Sequence, residues 1–249
     1  MNDRTRVLVT GAAGRIGSAF VTEMRDRYDF RLADKTERVH ELLPEVESLV
    51  LDAADYGACV RAVQGIDVVL HLAADPSPAA DYYQSLQPSN FDATYNVFKA
   101  ASDAGCARVV YASSVQTVLG YQKDDGTKVD AAWWPLNMYA VSKCYGEATA
   151  RMFAATTDLS AICVRIGAYQ RPGLDRPETR RELSAYVSPR DLNQLFRLCI
   201  EAEGIEFAVV HGVSNNQVNR LSLTETRELL GYEPVDDGFT VYGVPLDEW

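Results

Sequence analysis

The sequence predicts an α/β fold with a doubly wound parallel sheet, covered by helices on both faces. Three observations predict it: short apolar segments alternate with amphipathic ones, a glycine-rich turn follows the first apolar segment, and 47% of the 249 residues are hydrophobic. Near-continuous apolar segments are typical of strands that are buried on both faces of a sheet. We therefore expect one main sheet with helices between its strands.

The alternating segments also predict how the chain is divided. Strands are expected at 5–10, 30–34, 48–52, 67–71, 108–112 and 161–166, and helices at 16–27, 55–63, 81–104 and 138–156, with Pro88 as a candidate break. Residues 1–166 are expected to form a dinucleotide-binding domain that carries the catalytic residues. Residues 167–249 are expected to form a small substrate-binding lobe packed on it, with a loop at 170–181, helices near 190–201 and 222–230, and a strand near 207–211.

Composition and charge exclude several classes of protein. The chain has 35 acidic and 24 basic residues and a formal charge of −11, which disfavours binding to nucleic acid or to an anionic membrane surface. No apolar run of about 18 residues predicts a membrane span, and the N-terminal residues do not resemble a secretory signal, so a cytoplasmic location is expected. The five cysteines form no CxxC pair and the three histidines have no ligand spacing, so no metal site is expected.

The basic residues are unevenly distributed between the two types. Only five are lysines and nineteen are arginines. An acidic, lysine-poor surface fits a halophilic protein that stays soluble in high salt, and GC-rich codon bias is the alternative explanation.

A glycine motif follows the first expected strand. Gly11, Gly14 and Gly17 stand between a strand and a helix, which is typical of the Rossmann turn that brings the backbone close to a pyrophosphate. Asp34 ends the second strand, where its carboxylate would accept hydrogen bonds from the ribose hydroxyls. The negative charge favours NAD over NADP, although Arg15 or Lys35 could hold a 2′-phosphate. Asp52 ends the third strand and would suit either the adenine amino group or a helix cap.

A tyrosine and a lysine carry the expected chemistry. Tyr139 and Lys143 are four residues apart on a predicted helix and therefore share one face. An ammonium group beside a phenol lowers the pKa of the phenol, and the phenolate could then take a proton from a substrate hydroxyl. Ser114 ends the fifth strand, at the carboxyl edge where ligands bind in such sheets. The sequence thus predicts a Ser-Tyr-Lys catalytic set.

Together these motifs resemble the extended short-chain dehydrogenases/reductases, the NAD-dependent epimerase/dehydratase superfamily. The resemblance covers essentially the whole chain. Besides the motifs above it rests on Leu51-Asp52, His71-Leu72-Ala73-Ala74, Asn90, Asn96 and Ser113. Within the superfamily the chain is most similar to uronate dehydrogenase and to the haloarchaeal aldose and glucose-6-phosphate dehydrogenases, through segments 31–34, 139–147, 164–167, 188–191, 209–216 and 230–234.

The resemblance implies a function and roles for residues. It implies oxidation of the C1 hydroxyl of a cyclic sugar to a lactone, with Tyr139 as the base, Lys143 lowering its pKa and holding the nicotinamide ribose, and Ser114 binding the reacting oxygen. The expected cofactor contacts are Gly11, Gly14, Arg15, Ile16, Gly17, Asp34, Asp52, Leu72, Ala73, Ala74, Asn90, Tyr139, Lys143 and Ile166. The expected substrate contacts are Asp75, Ser114, Gln116, Tyr139 and Arg181, and a homo-oligomer is expected.

One departure from the family pattern bears on the substrate. Uronate and glucose-6-phosphate dehydrogenases have Asn-His after the serine pair, whereas this chain has Val115-Gln116. Because Val115 carries no hydrogen-bond donor, at least one sugar contact is lost or changed. A neutral aldose is therefore preferred here, with a uronate or a sugar phosphate as alternatives. Arg181 matches an arginine that binds substrate in the family, and its alternative is a place on a solvated loop.

Two other functions share this framework. A redox-neutral sugar or nucleotide-sugar epimerase or dehydratase would keep NAD tightly bound, but only 106 residues follow Lys143, which leaves little chain to hold a nucleotide diphosphate. A redox sensor would use the fold only to bind a dinucleotide, and it would not need the Ser-Tyr-Lys set. Net release of NADH distinguishes the dehydrogenase from both.

Overall fold

The central element of the protein is a seven-stranded parallel sheet. A computed structural model describes residues 4–121, 126–177 and 179–246. The sheet has the order β3-β2-β1-β4-β5-β6-β9, and every neighbouring pair is parallel. Its strands are β1 (Arg6–Thr10), β2 (Asp29–Asp34), β3 (Glu47–Val50), β4 (Val68–His71), β5 (Arg108–Ser114), β6 (Ser160–Ile166) and β9 (Phe207–Gly212). The expected doubly wound sheet is confirmed.

Helices cover both faces of this sheet. They are α1 (Arg15–Met24), α2 (Val39–Leu42), α3 (Tyr56–Ala62), α4 (Ala93–Asp103), α5 (Met138–Thr156), α6 (Arg180–Ser184), α7 (Pro189–Glu201), α8 (Thr224–Leu230) and α9 (Gly238–Tyr242). One apolar core includes residues of α1 and α7, and the other includes residues of α3, α4 and α5. In the described residues, no helix is both long and apolar enough to span a membrane.

The helix expected at 81–104 is wrong as a single α-helix. Residues Tyr82–Asp92 form a π-helix, and α4 continues from Ala93. Pro88 lies inside the π-helix and has no N–H to donate to an α-helical hydrogen bond. Wide turns are already present before it, because the Leu86 N–H donates to the Asp81 carbonyl oxygen five residues earlier. The wide turns place Asn90 in a fully buried position.

The C-terminal third of the chain contributes to the main sheet and also builds elements of its own. The expected strand near 207–211 is β9, which pairs with β6 at the edge of the sheet. A separate two-stranded parallel sheet joins β7 (Ala168–Tyr169) to β8 (Tyr186–Val187), which the sequence analysis did not predict. These strands bring Gly167 and Tyr169 to the carboxyl edge of the main sheet, where the cavities described below lie.

Gly146 allows α5 to pack directly on β5. A Cβ atom at this position would lie 2.2 Å from the Cζ and Oη atoms of the fully buried Tyr111 ring. Because the ring is enclosed on all sides, it has little room to move. The close approach of α5 to β5 therefore depends on glycine.

We expect Gly146→Ala to lower the free energy of unfolding by about 1–3 kcal/mol, because overpacking outweighs the usual helical preference for alanine. Urea unfolding measures the change. Gly57→Ala in α3 is the control: its nearest neighbours are side-chain atoms at 3.3 and 3.6 Å, so it should be neutral or stabilising by up to ~1 kcal/mol. An equal effect of the two substitutions would contradict the packing explanation.

Candidate active site

The glycine motif forms a tight turn at the end of β1. Gly11 has a φ of +69°, and a Cβ there would lie 2.8 Å from the backbone nitrogen of Ala73. A Cβ on Gly17 would lie 2.5 Å from the Gly11 carbonyl oxygen. The turn therefore requires glycine at both positions.

The start of α1 is open to an anion. Gly14 is the residue that caps this helix, and no side-chain cap hydrogen bond is present among the residues that the structure describes. Free N–H groups and the helix dipole at such a terminus favour a phosphate. Gly14 also lines both cavities described below, and a Cβ there would lie near only the Gly11 carbonyl oxygen, at 3.1 Å. The turn thus fits a pyrophosphate.

Two cavities adjoin at the glycine turn. The Asp34 cavity has a volume of about 320 Å³, and the Tyr139 cavity has a volume of about 440 Å³. They share the lining residues Gly11, Gly14, Leu72 and Ala74, so a dinucleotide could extend from one into the other. Both lie at the carboxyl ends of the strands, as expected for a doubly wound sheet.

Asp34 and Asp52 line the Asp34 cavity together with Lys35. Oδ2 of Asp34 accepts a hydrogen bond from the Ala13 N–H at 3.0 Å, and Oδ1 accepts from the Thr36 backbone and hydroxyl. Asp34 therefore holds the glycine turn while it faces the cavity. The Ala54 N–H and the Lys35 ammonium, 3.2 Å from Oδ2, lower the pKa of Asp52. The helix-cap alternative for Asp52 is wrong, because Asp55 caps α3 by accepting a hydrogen bond from the Ala58 N–H. Asp52 accepts within the turn before the helix and lines the cavity.

Arg15 is directed away from the Asp34 cavity. Its guanidinium group donates to Asp175 at 2.6 Å and to the Tyr169 carbonyl oxygen at 3.2 Å, and it lies over the Tyr169 ring. Asp175 is also bound by Arg171, and these hydrogen bonds hold its pKa well below the usual range. Arg15 therefore lines the Tyr139 cavity as one member of an ion pair.

The three expected catalytic residues line the Tyr139 cavity. Ser114 ends β5, while Tyr139 and Lys143 lie one turn apart at the start of α5. The Lys143 ammonium donates to the Ala112 carbonyl oxygen at 2.8 Å and lies 5.7 Å from the centre of the Tyr139 ring. Ile16 and Ile166 line the same cavity. The structure thus brings together the groups that the sequence placed on separate elements.

Burial favours the neutral forms of Tyr139 and Lys143 and shifts the pKa values of both side chains. It lowers the pKa of Lys143 to about 8. Burial raises the pKa of Tyr139, and the negative charge of Asp75 raises it further. The Ser114 side chain lowers this pKa, but by less than burial raises it. The expectation of a lowered Tyr139 pKa is therefore wrong for this arrangement. The spacing predicted that the lysine would be near, but it did not reveal how completely both groups are removed from water.

Glu147 connects the catalytic part of α5 to the neighbouring elements. Its buried carboxylate accepts two hydrogen bonds from Arg165, both at 2.8 Å, one from the Ser113 hydroxyl at 2.6 Å and one from the Trp133 indole at 2.7 Å. These contacts join α5 to β5, to β6 and to the loop that precedes α5. Ser113, next to Ser114, lines the cavity and also takes part in this network.

Gln116 also lines the Tyr139 cavity, in a short 3₁₀ turn over Val115–Val118. Its Oε1 accepts a hydrogen bond from the Asn137 Nδ2 at 2.8 Å. Oδ1 of Asn137 in turn accepts from the Ala140 N–H and caps α5. The sequence analysis named Gln116 but not Asn137, which could have been found as the capping residue directly before the helix.

Asp75 and Asn90 occupy different places from those expected. Asp75 lines the Asp34 cavity, where it accepts hydrogen bonds from the Ser85 hydroxyl and from the Ser77 N–H. Asn90 is fully buried and lines neither cavity. Its amide binds the backbone of Asp75 on both sides and donates to the Ser142 hydroxyl. Asn90 therefore holds the loop after β4 against α5.

Arg181 does not line the Tyr139 cavity. Its guanidinium group donates to the carbonyl oxygens of Leu119 and Tyr121, and so ties α6 to the chain that follows the 3₁₀ turn. The expectation that Arg181 contacts the substrate rested on its match to a family position. The acceptors that Arg181 meets depend instead on the path of the chain after Val118.

Several lining residues were not expected from the sequence. Ser85 and Ser89 reach the Asp34 cavity from the π-helix, and Pro76, Gly167 and Tyr169 line the Tyr139 cavity. No sequence pattern predicted the two serines, because an α-helix over 81–104 would present a different face.

His71 is buried and bonded to the Thr10 hydroxyl, and burial lowers its pKa to about 3. Throughout the ranges that the structure describes, no cluster of His, Cys, Asp or Glu is arranged to hold a metal ion.

Comparisons with known proteins agree with this geometry. The profile of the NAD dependent epimerase/dehydratase family matches residues 7–188. An NAD-dependent glucose-6-phosphate dehydrogenase from Haloferax volcanii is 36% identical, over 97% of this chain and 98% of the relative. An L-arabinose 1-dehydrogenase (NAD(P)(+)) from the same organism is 33% identical, over 95% of this chain and 98% of the relative.

A solved structure is also similar along nearly the whole chain. A variant of uronate dehydrogenase from Agrobacterium tumefaciens, complexed with NAD, has a TM-score of 0.84 and 30% identity, over 95% of this chain and 87% of the other. The superfamily inferred from the motifs is confirmed by the profile match and by the two relatives above 30% identity. The chain therefore belongs to the NAD dependent epimerase/dehydratase family.

Proposed function

We propose that this protein is an NAD-dependent sugar 1-dehydrogenase that oxidises the C1 hydroxyl of a cyclic aldose to a lactone. One observation carries the proposal: Ser114, Tyr139 and Lys143 face one cavity, and that cavity adjoins the glycine turn. The family relatives described above are sugar dehydrogenases, which supports this choice of reaction. The chain also covers almost the full length of those relatives.

The cofactor half of the cleft favours NAD over NADP. Asp34 faces the cavity where the adenosine ribose would lie, and its charge would repel a 2′-phosphate. The two cations that could hold such a phosphate are already paired, Lys35 with Asp52 and Arg15 with Asp175. The N–H groups at the start of α1 would hold the pyrophosphate.

Tyr139 and Ser114 would act on the reacting hydroxyl. The Tyr139 phenolate takes the proton of the C1 hydroxyl, while Ser114 donates a hydrogen bond to the same oxygen and keeps it within reach. When bound, NAD supplies the acceptor for the hydride that leaves C1, so the products are a lactone, NADH and the proton on Tyr139. Ser114 and Tyr139 line the same cavity, which fits this shared position.

Lys143 would favour ionisation of the Tyr139 phenol. Because burial raises the pKa of Tyr139, its ionisation requires a positive charge nearby. The Lys143 ammonium supplies this charge from a site fixed by the Ala112 carbonyl oxygen. With a pKa of about 8, Lys143 is mostly protonated at neutral pH.

The chain after β6 would form the sugar side of the cleft. Gly167 and Tyr169 line the Tyr139 cavity opposite the glycine turn, and Tyr169 packs on Arg15. We assign residues 167–249 as the substrate lobe and residues 1–166 as the dinucleotide-binding domain, with β9 as the strand that anchors the lobe to the sheet.

A substrate screen tests the proposed function. Aldoses, uronates and sugar phosphates are incubated with NAD or NADP in low and high salt, since the acidic, lysine-poor composition predicts a halophilic enzyme. The proposal expects net formation of NADH with at least one sugar. Rearrangement of a sugar without net NADH would identify a redox-neutral epimerase or dehydratase instead.

We expect Tyr139→Phe to lower kcat by a factor of about 10²–10⁴ and to leave NAD affinity unchanged, because only the proton acceptor is removed. Steady-state kinetics and NAD titration check this. Tyr145→Phe on the same helix is the control: the Tyr145 ring packs against Phe91, and Tyr145 lines neither cavity, so activity should remain near that of the wild type. A fully active Tyr139→Phe variant would refute the mechanism.

We expect Asp34→Ala to reduce the preference for NAD over NADP, because the variant removes the charge that opposes a 2′-phosphate. The ratio of kcat/KM for the two cofactors measures the effect. Asp75→Asn removes a charge from the same cavity without releasing Lys35 or Arg15 from its partner, so its ratio should change less. If both variants shift the ratio equally, Asp34 acts only through the general charge of the cavity.

We expect Lys143→Met to abolish activity and to stabilise the fold. Lowering the Lys143 pKa from 10.5 to about 8 corresponds to about 3 kcal/mol, offset by roughly 1 kcal/mol for the lost hydrogen bond to Ala112. The unfolded chain binds more protons between pH 8 and 10.5, so wild-type stability rises with pH there and the gain of the variant shrinks.

Urea unfolding at pH 7 and at pH 10 measures the difference between Lys143→Met and the wild type. Lys99→Met is the control, because Lys99 forms a solvent-exposed ion pair with Asp103 and its loss should leave stability nearly unchanged. A Lys143→Met variant that is less stable than the wild type at pH 7 would contradict this account.

A further inference from the structure

The polarity of the Gln116 amide is set by the structure around it. An isolated glutamine side chain can turn either its carbonyl oxygen or its NH₂ group towards a ligand. Gln116 is half-buried, follows Ser114 by two residues and lines the Tyr139 cavity. Its orientation therefore decides whether the cavity offers an acceptor or a donor at this point.

Asn137 determines that orientation through the helix cap. The Ala140 N–H can only donate, so the Asn137 atom that faces it at 2.8 Å must be the carbonyl oxygen Oδ1. The Asn137 Nδ2 then points to Gln116, and the atom that receives it at 2.8 Å must be Oε1. The orientations of both amides thus follow from one backbone donor at the start of α5.

The remaining group of Gln116 is its NH₂. Within the described residues, no protein acceptor is hydrogen-bonded to Nε2, and the side chain lines the cavity beside Ser114. Gln116 therefore presents a neutral N–H donor to whatever occupies the cavity. Because Asn137 holds Oε1, the amide cannot rotate to offer an acceptor without breaking that hydrogen bond.

The charges around the cavity are already engaged. Its described lining includes two cations: Arg15 is paired with Asp175, and Lys143 provides the charge that Tyr139 needs to ionise. Arg181 donates to main-chain carbonyl oxygens outside the lining. A carboxylate or phosphate would lose its hydration and gain mainly neutral donors in return. A hydroxyl or ring oxygen loses much less.

We propose that Gln116 is a specificity-determining residue that donates a hydrogen bond to the ring oxygen next to the reacting carbon, and that Asn137 is the positioning residue that fixes this polarity. The substrate class is a neutral aldose rather than a uronate or a sugar phosphate. This inference rests on the proposed function, because it places the reacting carbon beside Ser114 and Tyr139.

The key variant is Asn137→Asp. An aspartate keeps the acceptor that caps α5, so the helix should remain intact. Its second oxygen can only accept, so Gln116 would turn its NH₂ towards residue 137 and its carbonyl oxygen towards the sugar. We expect binding of a neutral aldose to weaken about tenfold or more, because the ring oxygen can only accept and would face an acceptor instead of a donor.

Two further variants separate polarity from folding. Gln116→Glu still accepts from Asn137 but presents a carboxylate oxygen to the sugar, and we expect the same tenfold or greater loss. Asn137→Ser also keeps the cap and leaves Gln116 free to rotate, so its loss should lie between those of the wild type and Asn137→Asp. All three should retain the urea midpoint and the NAD affinity of the wild type.

Calorimetric titration of a neutral aldose into the protein saturated with NADH tests the inference, because this complex binds sugar without turnover. The inference is supported if aldose binding weakens in the order Asn137→Ser, then Asn137→Asp and Gln116→Glu, with NADH affinity unchanged. It is overturned if Asn137→Asp binds the aldose as tightly as the wild type, if a uronate or sugar phosphate binds more tightly than the neutral aldose, or if no neutral aldose binds. The separate assay for NADH formation reports on the proposed function, so the two can fail independently.

Discussion

The buried carboxylate of Glu147 is the interaction on which the catalytic half of the cleft depends. It binds Arg165, Ser113 and Trp133 at once, and both it and the Arg165 guanidinium are almost completely shielded from water. An ion pair at this depth adds little net stability when complete, but the loss of one partner costs about 3–5 kcal/mol. Its contribution is therefore to fix positions. Lys143 and Tyr139 lie one and two turns before Glu147 on the same face of α5, so the network sets the distance from both to the end of β5.

Other charged side chains of the cleft are also held in ion pairs. Lys35 is paired with Asp52 and Arg15 with Asp175. Besides Lys143 and the acids of the Asp34 cavity, the described lining offers a ligand N–H groups, hydroxyls and the Gln116 amide, whose direction is fixed by a backbone donor at the start of α5. A phosphate is met by the start of α1, whereas the reacting sugar is met by Ser114, Tyr139 and Gln116. Charge thus holds the frame, and neutral groups with fixed directions face the substrate.

The sequence was sufficient where a local pattern determines the geometry. Three glycines between a strand and a helix predict the turn, because no other residue fits at Gly11 or Gly17. Tyr139 and Lys143 are brought together by helical spacing alone. The sequence was insufficient where contacts between distant parts of the chain determine the position of a side chain. Arg181 meets the carbonyl oxygens of Leu119 and Tyr121, and Asn90 meets the backbone of Asp75, because of chain paths that no local pattern contains. The π-helix arises in the same way, with Pro88 as its only local signal.

The pKa values of Tyr139 and Lys143 show why spacing alone misleads about the chemistry. Spacing predicts attraction between an ammonium and a phenolate, but burial acts on each group first and opposes both charges. The consequence is a pair whose members are each costly to ionise alone and less costly to ionise together, since the phenolate and the ammonium offset one another where water is absent. The close packing of Gly146 on Tyr111 and the Glu147 network hold this pair in place. The part of α5 that follows the catalytic pair therefore fixes the positions of two side chains whose charged forms are unfavourable at this depth.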